Sequence, residues 1–210
     1  MKLVAISQRV DQIPNLNETR DALDQRLITF LLVAGFIPVP IPSKLYKRLS
    51  SDCYDYQPLD AWLTKLRPQA FVLSGGNDIG QYVERELIEG RLLDYAKLNQ
   101  LPVLGICRGM QMMAKWAGTD VHLVKGHVRT RHCLYGRITG EVNSYHNYSL
   151  DGCPKEFEVI AKCEDGEIEA ISHKILPWEG WMWHPEREVE FSTRDIQGIT
   201  TLFNNKLLGS

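Results

Sequence analysis

The sequence predicts an α/β fold, with a mostly parallel central sheet, helices on both faces and some antiparallel strands in the carboxyl half. Short apolar runs that do not alternate with polar residues, at residues 3–6 and 70–73, are typical of strands buried on both faces. Between such runs lie segments whose apolar residues recur at helical spacing. This alternation of buried strands and amphipathic helices favours a parallel sheet covered by helices.

Size and charge narrow the class of protein. The chain has 210 residues, of which 44 % are hydrophobic, a share typical of a globular core, and we predict a single domain over residues 1–210. The 24 basic and 26 acidic side chains give a formal net charge of −2. No overall positive field therefore attracts nucleic acid, which is not an expected partner.

Neither a targeting segment nor a membrane span is expected. The apolar run at residues 3–6 is too short for a signal peptide, and the longest apolar region, residues 28–42, is interrupted by Gly35, Pro38 and Pro40. The five cysteines have no C-x-x-C spacing, which argues against a zinc ribbon or a disulfide framework. We expect a cytoplasmic protein.

The elements are predicted in chain order from apolar spacing. After a strand at residues 3–6, a helix is expected to start at a capping box of Asn15 and Glu18 and to end at Gly35. Residues 36–41 are predicted to form a strand interrupted by prolines. The further predicted elements are a helix at 59–66, a strand at 70–73, a helix at 88–96, a strand at 102–106, a helix after Cys107, strands at 157–161, 167–171 and 181–184, and a last helix from about Ser192.

Two segments that follow predicted strands contain unusual glycines. In an open α/β sheet the functional crevice lies beyond the carboxyl ends of the strands. Gly75 and Gly76 follow the strand at 70–73 and could turn backbone N–H groups toward a ligand, although a plain turn explains them equally well. In Gly105-Ile-Cys107-Arg-Gly109, the spacing is that of a tight turn that lifts a nucleophile clear of the sheet. Cys107 would then lie at the amino end of a helix, which favours its thiolate, but it could also be a small buried core residue.

A third segment supplies a base for that nucleophile. His184 and Glu186 are two residues apart, so on an extended chain both side chains point the same way. A carboxylate on one ring nitrogen leaves the other free to take a proton from a thiol. A strand exit with a solvated acid is the alternative. Together with Cys107, these residues form a candidate nucleophile, base and orienting group.

The motifs resemble those of the class I glutamine amidotransferase superfamily, and within it those of the γ-glutamyl hydrolase branch. The matching segments are residues 74–79, 105–111, 142–146, 164–170 and 183–186. The resemblance implies a flavodoxin-like sheet and cleavage of a γ-glutamyl amide. Arg108 after the cysteine, and the segment at 142–146, favour the hydrolase branch over glutaminases coupled to a synthetase.

The resemblance also implies roles for single residues. Cys107 would attack the γ-carbonyl, and His184, oriented by Glu186, would protonate the leaving nitrogen and then activate water. Backbone N–H groups of Arg108 and of the Gly75–Gly76 turn would hold the oxyanion. The residues implied to bind the glutamyl group are Gln111, Tyr145, His146 and Asn147. For His146 a structural role is the alternative. No cofactor is implied.

A basic cluster between residues 125 and 137 bears on the leaving group. Its members are Lys125, His127, Arg129, Arg131, His132 and Arg137. Arg129 and Arg131, with Arg9 at the end of the first strand, would suit a phosphate-bearing leaving group, whereas a solvated loop is an equal alternative. His122, His127 and His132 are five apart, which fits neither a helix face nor a strand face, so we predict no metal site.

Several substrates remain open. With its opening Ser7-Gln8-Arg9-Val10, the chain is similar to members of the branch that act in bacterial capsule phosphoramidate synthesis, which implies γ-glutamyl-CDP-amidate as the substrate. A γ-glutamyl amine such as γ-glutamyl-aminobutyrate is an alternative. The chain could also be a glutaminase subunit that passes ammonia to a separate synthetase, or a catalytically inactive ligand sensor. The complete set of Cys107, His184 and Glu186 argues against the sensor.

Overall fold

The computed structural model describes residues 1–204, which form fifteen strands and five α-helices. The strands are β1 (Lys2–Ser7), β2 (Arg9–Ile13), β3 (Glu18–Ala22), β4 (Phe36–Ile41), β5 (Lys47–Arg48), β6 (Tyr54–Asp55), β7 (Ala70–Leu73), β8 (Val103–Ile106), β9 (Val121–Leu123), β10 (Val128–Gly136), β11 (Gly140–Tyr145), β12 (Tyr148–Leu150), β13 (Phe157–Lys162), β14 (Ile168–His173) and β15 (Trp178–Trp181). The helices are α1 (Gln25–Val33), α2 (Gln57–Leu66), α3 (Val83–Leu98), α4 (Arg108–Trp116) and α5 (Thr193–Asn204).

Nine of the strands form one mixed sheet in the order β11-β10-β13-β14-β15-β8-β7-β1-β4. The five strands from β15 to β4 are parallel to one another, and the other four pair antiparallel. Numbered along the chain, the parallel strands lie in the order 2-1-3-4-5, which is the flavodoxin-like order. The predicted α/β fold is confirmed, including its antiparallel carboxyl half. Strand order reverses between β1 and β7, where such folds have their crevice.

Helices cover both faces of the sheet and divide the core in two. Helices α1 and α5 pack on one face, against β1 residues that include Val4 and Ile6. Helices α2, α3 and α4 pack on the other face, against residues such as Ala5 and Phe71. Because neighbouring strand residues point to opposite faces, each parallel strand contributes to both halves, which explains its uninterrupted apolar run.

Two predictions for the first forty residues need correction. The capping box at Asn15 and Glu18 is wrong, because β2 and β3 form an antiparallel hairpin there, and α1 starts after the N-cap Asp24, whose carboxylate accepts from Arg26 N. Residues 36–41 form a complete strand despite their prolines, because β4 is the edge strand of the sheet and pairs only with β1. An edge strand has one side without partners, where a missing N–H costs little.

The carboxyl half contains strands that the apolar pattern did not predict. Strands β10 and β11 form an antiparallel pair at the far edge of the sheet, where the sequence predicted a basic loop. The strand predicted at 181–184 instead ends at Trp181, and residues 185–187 form a 3-10 turn.

None of the described helices combines the length and the apolar character that crossing a membrane requires. One sheet joins strands from residue 2 to residue 181. The single domain over residues 1–210 stays a prediction, and residues 205–210 lie outside the described part.

Candidate active site

Cys107 lies on a strained turn between β8 and α4. Its backbone has φ +51° and ψ −109°, a conformation that non-glycine residues rarely adopt, and its N–H donates to the carbonyl oxygen of Trp181 over 2.7 Å. A Cβ on Gly109 would overlap the carbonyl oxygen of Leu73, and one on Gly105 would lie 2.6 Å from Sδ of Met113. The two glycines therefore let the turn pack against its neighbours. The predicted tight turn between a strand and a helix is present, and the role of Cys107 as a nucleophile stays a prediction.

His184 lies between Cys107 and a buried carboxylate. Its Nδ1 is 2.7 Å from Oε1 of Glu186, and the imidazole lines the same cleft as Cys107. His184 and Glu186 are 2 % and 3 % exposed. The contact was predicted for an extended chain, but the 3-10 turn Pro185–Arg187 brings the carboxylate back to the ring. With Nδ1 directed at Glu186, Nε2 is the nitrogen left for the thiol.

The charge of the imidazole depends on these neighbours. Burial lowers the pKa of His184, but the negative charges of Glu186 and Cys107, together with the hydrogen bond to Glu186, outweigh it and raise the pKa from 6.5 to about 9. The imidazolium is then the main form at neutral pH. Its contribution to stability is complete below pH 6.5 and is lost as the pH rises through about 9.

Replacing Glu186 by glutamine is expected to move the alkaline limit of activity to lower pH. In the unmodified protein, loss of the His184 proton should lower kcat/KM as the pH rises through about 9. Without the carboxylate charge, the pKa of His184 falls, and the limit falls with it. The pH dependence of kcat/KM measures the shift. The matched control is Glu190→Gln, which changes an exposed carboxylate nearby. If the alkaline limit of Glu186→Gln is not shifted, Glu186 does not set the pKa of His184.

The backbone of His184 is fixed by Asn143 on β11. The amide oxygen of Asn143 accepts from His184 N over 3.0 Å, and its Nδ2 donates to His184 O over 2.8 Å. Asn143 is buried, and its Nδ2 also donates to Glu188 over 2.8 Å. The sequence pointed to the motif that contains Asn143 but not to this contact, since a strand 41 residues away had to be predicted first.

The Gly75–Gly76 turn is held from behind by Arg85. Its guanidinium donates to the carbonyl oxygens of Ser74, Gly75 and Gly76, at 3.2 Å for Gly75 and 2.5 Å for Gly76. Within residues 1–204, the N–H groups of Gly75, Gly76 and Arg108 donate to no other group. The carbonyls are thus engaged on one side of the turn, and its N–H groups remain available to an oxyanion.

Arg85 belongs to a buried ionic network that sequence reasoning missed. Glu89 accepts from Nε of Arg85 over 2.9 Å, from Oγ of Ser7 over 2.6 Å and from the guanidinium of Arg108. The side chains of Arg85, Glu89 and Arg108 are at most 4 % exposed. Burial alone would raise the pKa of Glu89, but Arg108 and Arg85 hold it below its usual value. The network joins the ends of β1 and β7 to the start of α4.

Two adjoining clefts meet at His184. The smaller, about 90 Å³, is lined by Cys107 and by the predicted glutamyl-binding residues Gln111, Tyr145, His146 and Asn147. The larger, about 180 Å³, is lined by Arg9, Gly75, Glu186 and Arg187 among others. Gly76 and Arg187 line both. The predicted residues from the amino-terminal strands and from the carboxyl half therefore come together around Cys107 and His184.

The two arginines of the basic cluster that were predicted to bind the leaving group lie outside both clefts. Neither cleft is lined by Arg129 or Arg131, because both belong to β10 and not to a loop that rims the pocket. Arg131 is paired with Glu141 at 3.1 Å and with Glu188 at 3.2 Å. The arginine that sequence reasoning missed is Arg187, whose guanidinium lies 4.7 Å from the centre of the Tyr145 ring. Its position next to Glu186 in the sequence was the available signal.

His146 lines the smaller cleft, but each of its ring nitrogens lies close to a protein group. Nδ1 is 3.0 Å from the carbonyl oxygen of Tyr148, and Nε2 is 3.3 Å from Oε1 of Glu169. The five-residue spacing of His127 and His132 predicts that the two side chains do not share a face. That prediction is wrong, since the centres of the two rings are 4.3 Å apart. A bulge at Arg129, with φ +56°, interrupts the alternation of β10 and brings both rings to one side.

The sequence matches a known family and several known proteins. The family described as glutamine amidotransferase class-I matches residues 46–197, well over half of the chain. The chain is 28 % identical over 198 residues to the γ-glutamyl-CDP-amidate hydrolase of Campylobacter jejuni, covering 88 % of this chain and 90 % of that protein. It is 30 % identical over 128 residues to a glutamine-hydrolysing GMP synthase subunit of Methanococcus aeolicus, covering 56 % and 64 % of the two chains.

Solved structures agree on the fold. A protein from Thermoplasma acidophilum described as a GMP synthase subunit superimposes with a TM-score of 0.69 at 21 % identity, covering 97 % of this chain and 94 % of the other. A glutamine amidotransferase from Thermotoga maritima gives a TM-score of 0.62 at 18 % identity, with 88 % and 76 % covered. The predicted resemblance is confirmed by the family match and by these folds. The chain belongs to the glutamine amidotransferase class-I family.

Proposed function

We propose that this protein hydrolyses a γ-glutamyl amide through a thioester on Cys107 and releases glutamate. The observation that carries the proposal is the placement of Cys107, on a strained elbow, in the same cleft as His184, whose Nδ1 contacts Glu186. A protein that only binds its ligand has no use for a nucleophile held in a costly conformation beside a base. The similarity to a hydrolase of the same family supports this activity.

The reaction proceeds in two halves. The Cys107 thiolate attacks the γ-carbonyl carbon, and the oxyanion is held by the N–H groups of Arg108 and of the Gly75–Gly76 turn, at ~3 kcal/mol per donor. The C–N bond breaks as the His184 imidazolium gives its proton to the leaving nitrogen, which leaves a glutamyl thioester. Neutral His184 then takes a proton from water, the hydroxide adds to the thioester, and glutamate leaves as the thiolate is restored.

The smaller cleft suits the glutamyl group. Gln111 lies one turn into α4, and its Nε2 donates to the carbonyl oxygen of Tyr148 over 3.0 Å, so its amide oxygen remains to accept from a substrate. Tyr145 and Asn147 also line this cleft and are exposed. We assign the amino-acid end of the substrate to this cleft because it contains Cys107.

We propose γ-glutamyl-CDP-amidate as the substrate, with cytidine diphosphoramidate as the second product. Arg9 and Arg187 line the larger cleft, on the side of His184 to which the leaving nitrogen would extend. Arg9 is half exposed and paired only with Asp11, at 2.9 Å, among the described residues. Two guanidinium groups beside a leaving group suit a diphosphate. The similarity to the Campylobacter jejuni enzyme supports the same substrate, and with it a role in capsule modification.

The proposal is tested by glutamate release from four substrates: glutamine, γ-glutamyl-aminobutyrate, a γ-glutamyl peptide and γ-glutamyl-CDP-amidate. The nucleotide is expected to be turned over at least about tenfold faster at equal concentration, since one lost charge-assisted contact costs about 1.5–3 kcal/mol. The Cys107→Ala variant gives the background. No release above that background from any of the four would overturn the hydrolase itself.

A variant of Arg9 tests the proposed nucleotide substrate independently of the hydrolase activity. Arg9→Gln should lower kcat/KM for γ-glutamyl-CDP-amidate by about tenfold or more and leave γ-glutamyl-aminobutyrate unaffected. The matched control is Arg20→Gln, since Arg20 lies on the paired strand of the same hairpin and contacts Glu18. Equal loss on both substrates would remove Arg9 as a phosphate ligand.

A glutaminase that serves a separate synthetase is the second candidate. The similarity to the archaeal GMP synthase chains favours it, because those relatives are named as parts of glutamine-hydrolysing enzymes. Fast ammonia release from free glutamine, with no preference for the nucleotide, would favour this candidate. Turnover of γ-glutamyl-aminobutyrate alone would instead indicate an amine hydrolase.

A further inference from the structure

Four buried side chains meet behind the smaller cleft. They are His127, just before β10, His132 on β10, His146 after β11 and Glu169 on β14. Each is at most 9 % exposed. One nitrogen or oxygen atom from each lies within 4.8 Å of those of the other three. The four residues lie on or next to β10 and β11 and on β14, which β13 separates from β10 in the sheet, so the cluster is created by the fold and not by a local motif.

The inward atoms of the cluster have no hydrogen-bond partner. Within residues 1–204, the buried atoms without one include Nδ1 of His127, Nε2 of His132, Nε2 of His146 and both carboxylate oxygens of Glu169. A buried carboxylate without a donor or a cation is one of the most costly arrangements in a protein. Five such atoms facing one point indicate that a positively charged group belongs there.

The outward nitrogens are engaged as in a metal site. Nε2 of His127 is 2.8 Å from Oδ2 of Asp165, and Nδ1 of His146 is 3.0 Å from the carbonyl oxygen of Tyr148. Nδ1 of His132 faces Glu164 at 3.9 Å. Acceptors on these nitrogens fix the proton on the outer side of each ring, which turns the lone pair inward. Histidine ligands of metals are held in this way by carboxylates and backbone carbonyls.

We propose that His127, His132, His146 and Glu169 bind one zinc ion as a closed, structural site. Three imidazoles and a carboxylate are donors that zinc accepts in four-coordinate sites. Zinc–ligand bonds of about 2.0–2.1 Å place tetrahedral ligand atoms about 3.3 Å apart. Nε2 of His146 and Oε1 of Glu169 are already 3.3 Å apart, and Nδ1 of His127 is 3.8 Å from the same oxygen.

The site would brace the wall of the smaller cleft. His146 is a ligand, and the residues on either side of it, Tyr145 and Asn147, line the cleft with Cys107. A metal held by β14 and β10 would therefore fix this segment. The inference stands apart from the proposed reaction, because its first readout is metal content and not turnover.

Metal analysis of the purified full chain tests the site. One zinc per chain is expected, and the chelator-treated protein should take up one equivalent of zinc and melt at a higher temperature once loaded. Glu169→Gln and His132→Gln should lower zinc affinity at least about 100-fold. Asp165→Asn changes only an outer carboxylate, which is largely exposed, and should weaken zinc about 10–100-fold in a folded protein.

His122→Gln is the matched control. His122 is a half-exposed histidine outside the cluster that contacts Asp151 and Glu167, and its loss should leave zinc binding unchanged. The proposal is overturned if the chelator-treated protein binds no stoichiometric zinc and its melting temperature does not respond. Equal loss of zinc in His122→Gln and His132→Gln would also overturn it. Another metal at one per chain would overturn the choice of zinc.

Discussion

Replacing Gly75 by alanine is expected to lower kcat/KM by about 100-fold or more while the protein keeps its fold. A Cβ at this position would lie 2.6 Å from Cε1 of His184, well inside van der Waals contact. The ring has little freedom to move away, because Glu186 holds Nδ1 and Asn143 holds the backbone. A displacement of about 1 Å in a catalytic group costs on the order of 100-fold in rate.

The fold should survive because the backbone of Gly75 lies outside the left-handed region, so alanine adds contact with the imidazole but no backbone strain there. The measurement is kcat/KM on the best substrate together with the melting temperature. Gly152→Ala is the matched control, since a Cβ there meets no atom within 4 Å. Full activity in Gly75→Ala would contradict the assignment of His184 as the base.

The parts of the site that sequence reasoning found are those encoded by neighbouring residues. The elbow around Cys107 needs glycines two residues away on each side, and Glu186 is two residues from His184. Such patterns are visible without a fold. The family resemblance then joined two segments that are 77 residues apart, which periodicity alone does not do.

The buried network was missed because it looks like a surface pair. Arg85 and Glu89 have the spacing of an exposed ion pair on a helix. Arg85 also continues the predicted apolar stripe of α3, which contains Ile88 and Leu92, toward the amino end of that helix, and Glu89 is buried beside the stripe. Only the position of that end, beneath the Gly75–Gly76 turn, shows that the charges are buried.

The errors in the fold have local causes as well. Asn15 and Glu18 satisfy a capping-box spacing, but Pro14 begins a 3-10 turn that ends at Asn17 in the left-handed conformation, which closes a hairpin. From Thr130 to Tyr135, β10 alternates between more and less buried side chains, but its charged and histidine residues concealed this pattern. The histidine cluster was missed because the bulge at Arg129 defeats any argument from a period of two.

Replacing Arg85 by methionine is expected to lower the free energy of unfolding by about 3–5 kcal/mol, the usual cost of removing one partner from a buried ionic network. Methionine fills much of the same volume, so the loss is mainly electrostatic. Glu89 keeps Arg108 and Ser7 but loses a charged donor, and three carbonyl oxygens of residues 74–76 lose theirs. Urea denaturation measures the change.

Arg91→Met provides the comparison on the same helix. Arg91 contacts Asp60 at 3.3 Å across an exposed surface, where an ion pair contributes about 0–1 kcal/mol. If Arg85→Met lowers the free energy of unfolding no more than Arg91→Met does, the network does not stabilise the fold.

If Arg85→Met lowers it more, a second measurement separates stability from positioning. That measurement is kcat under conditions in which both variants are folded. Arg85→Met should then also lower kcat, because the N–H groups of the Gly75–Gly76 turn lose their support, whereas Arg91→Met should not. A network placed where strand order reverses thus links the free energy of folding to the geometry of the oxyanion site.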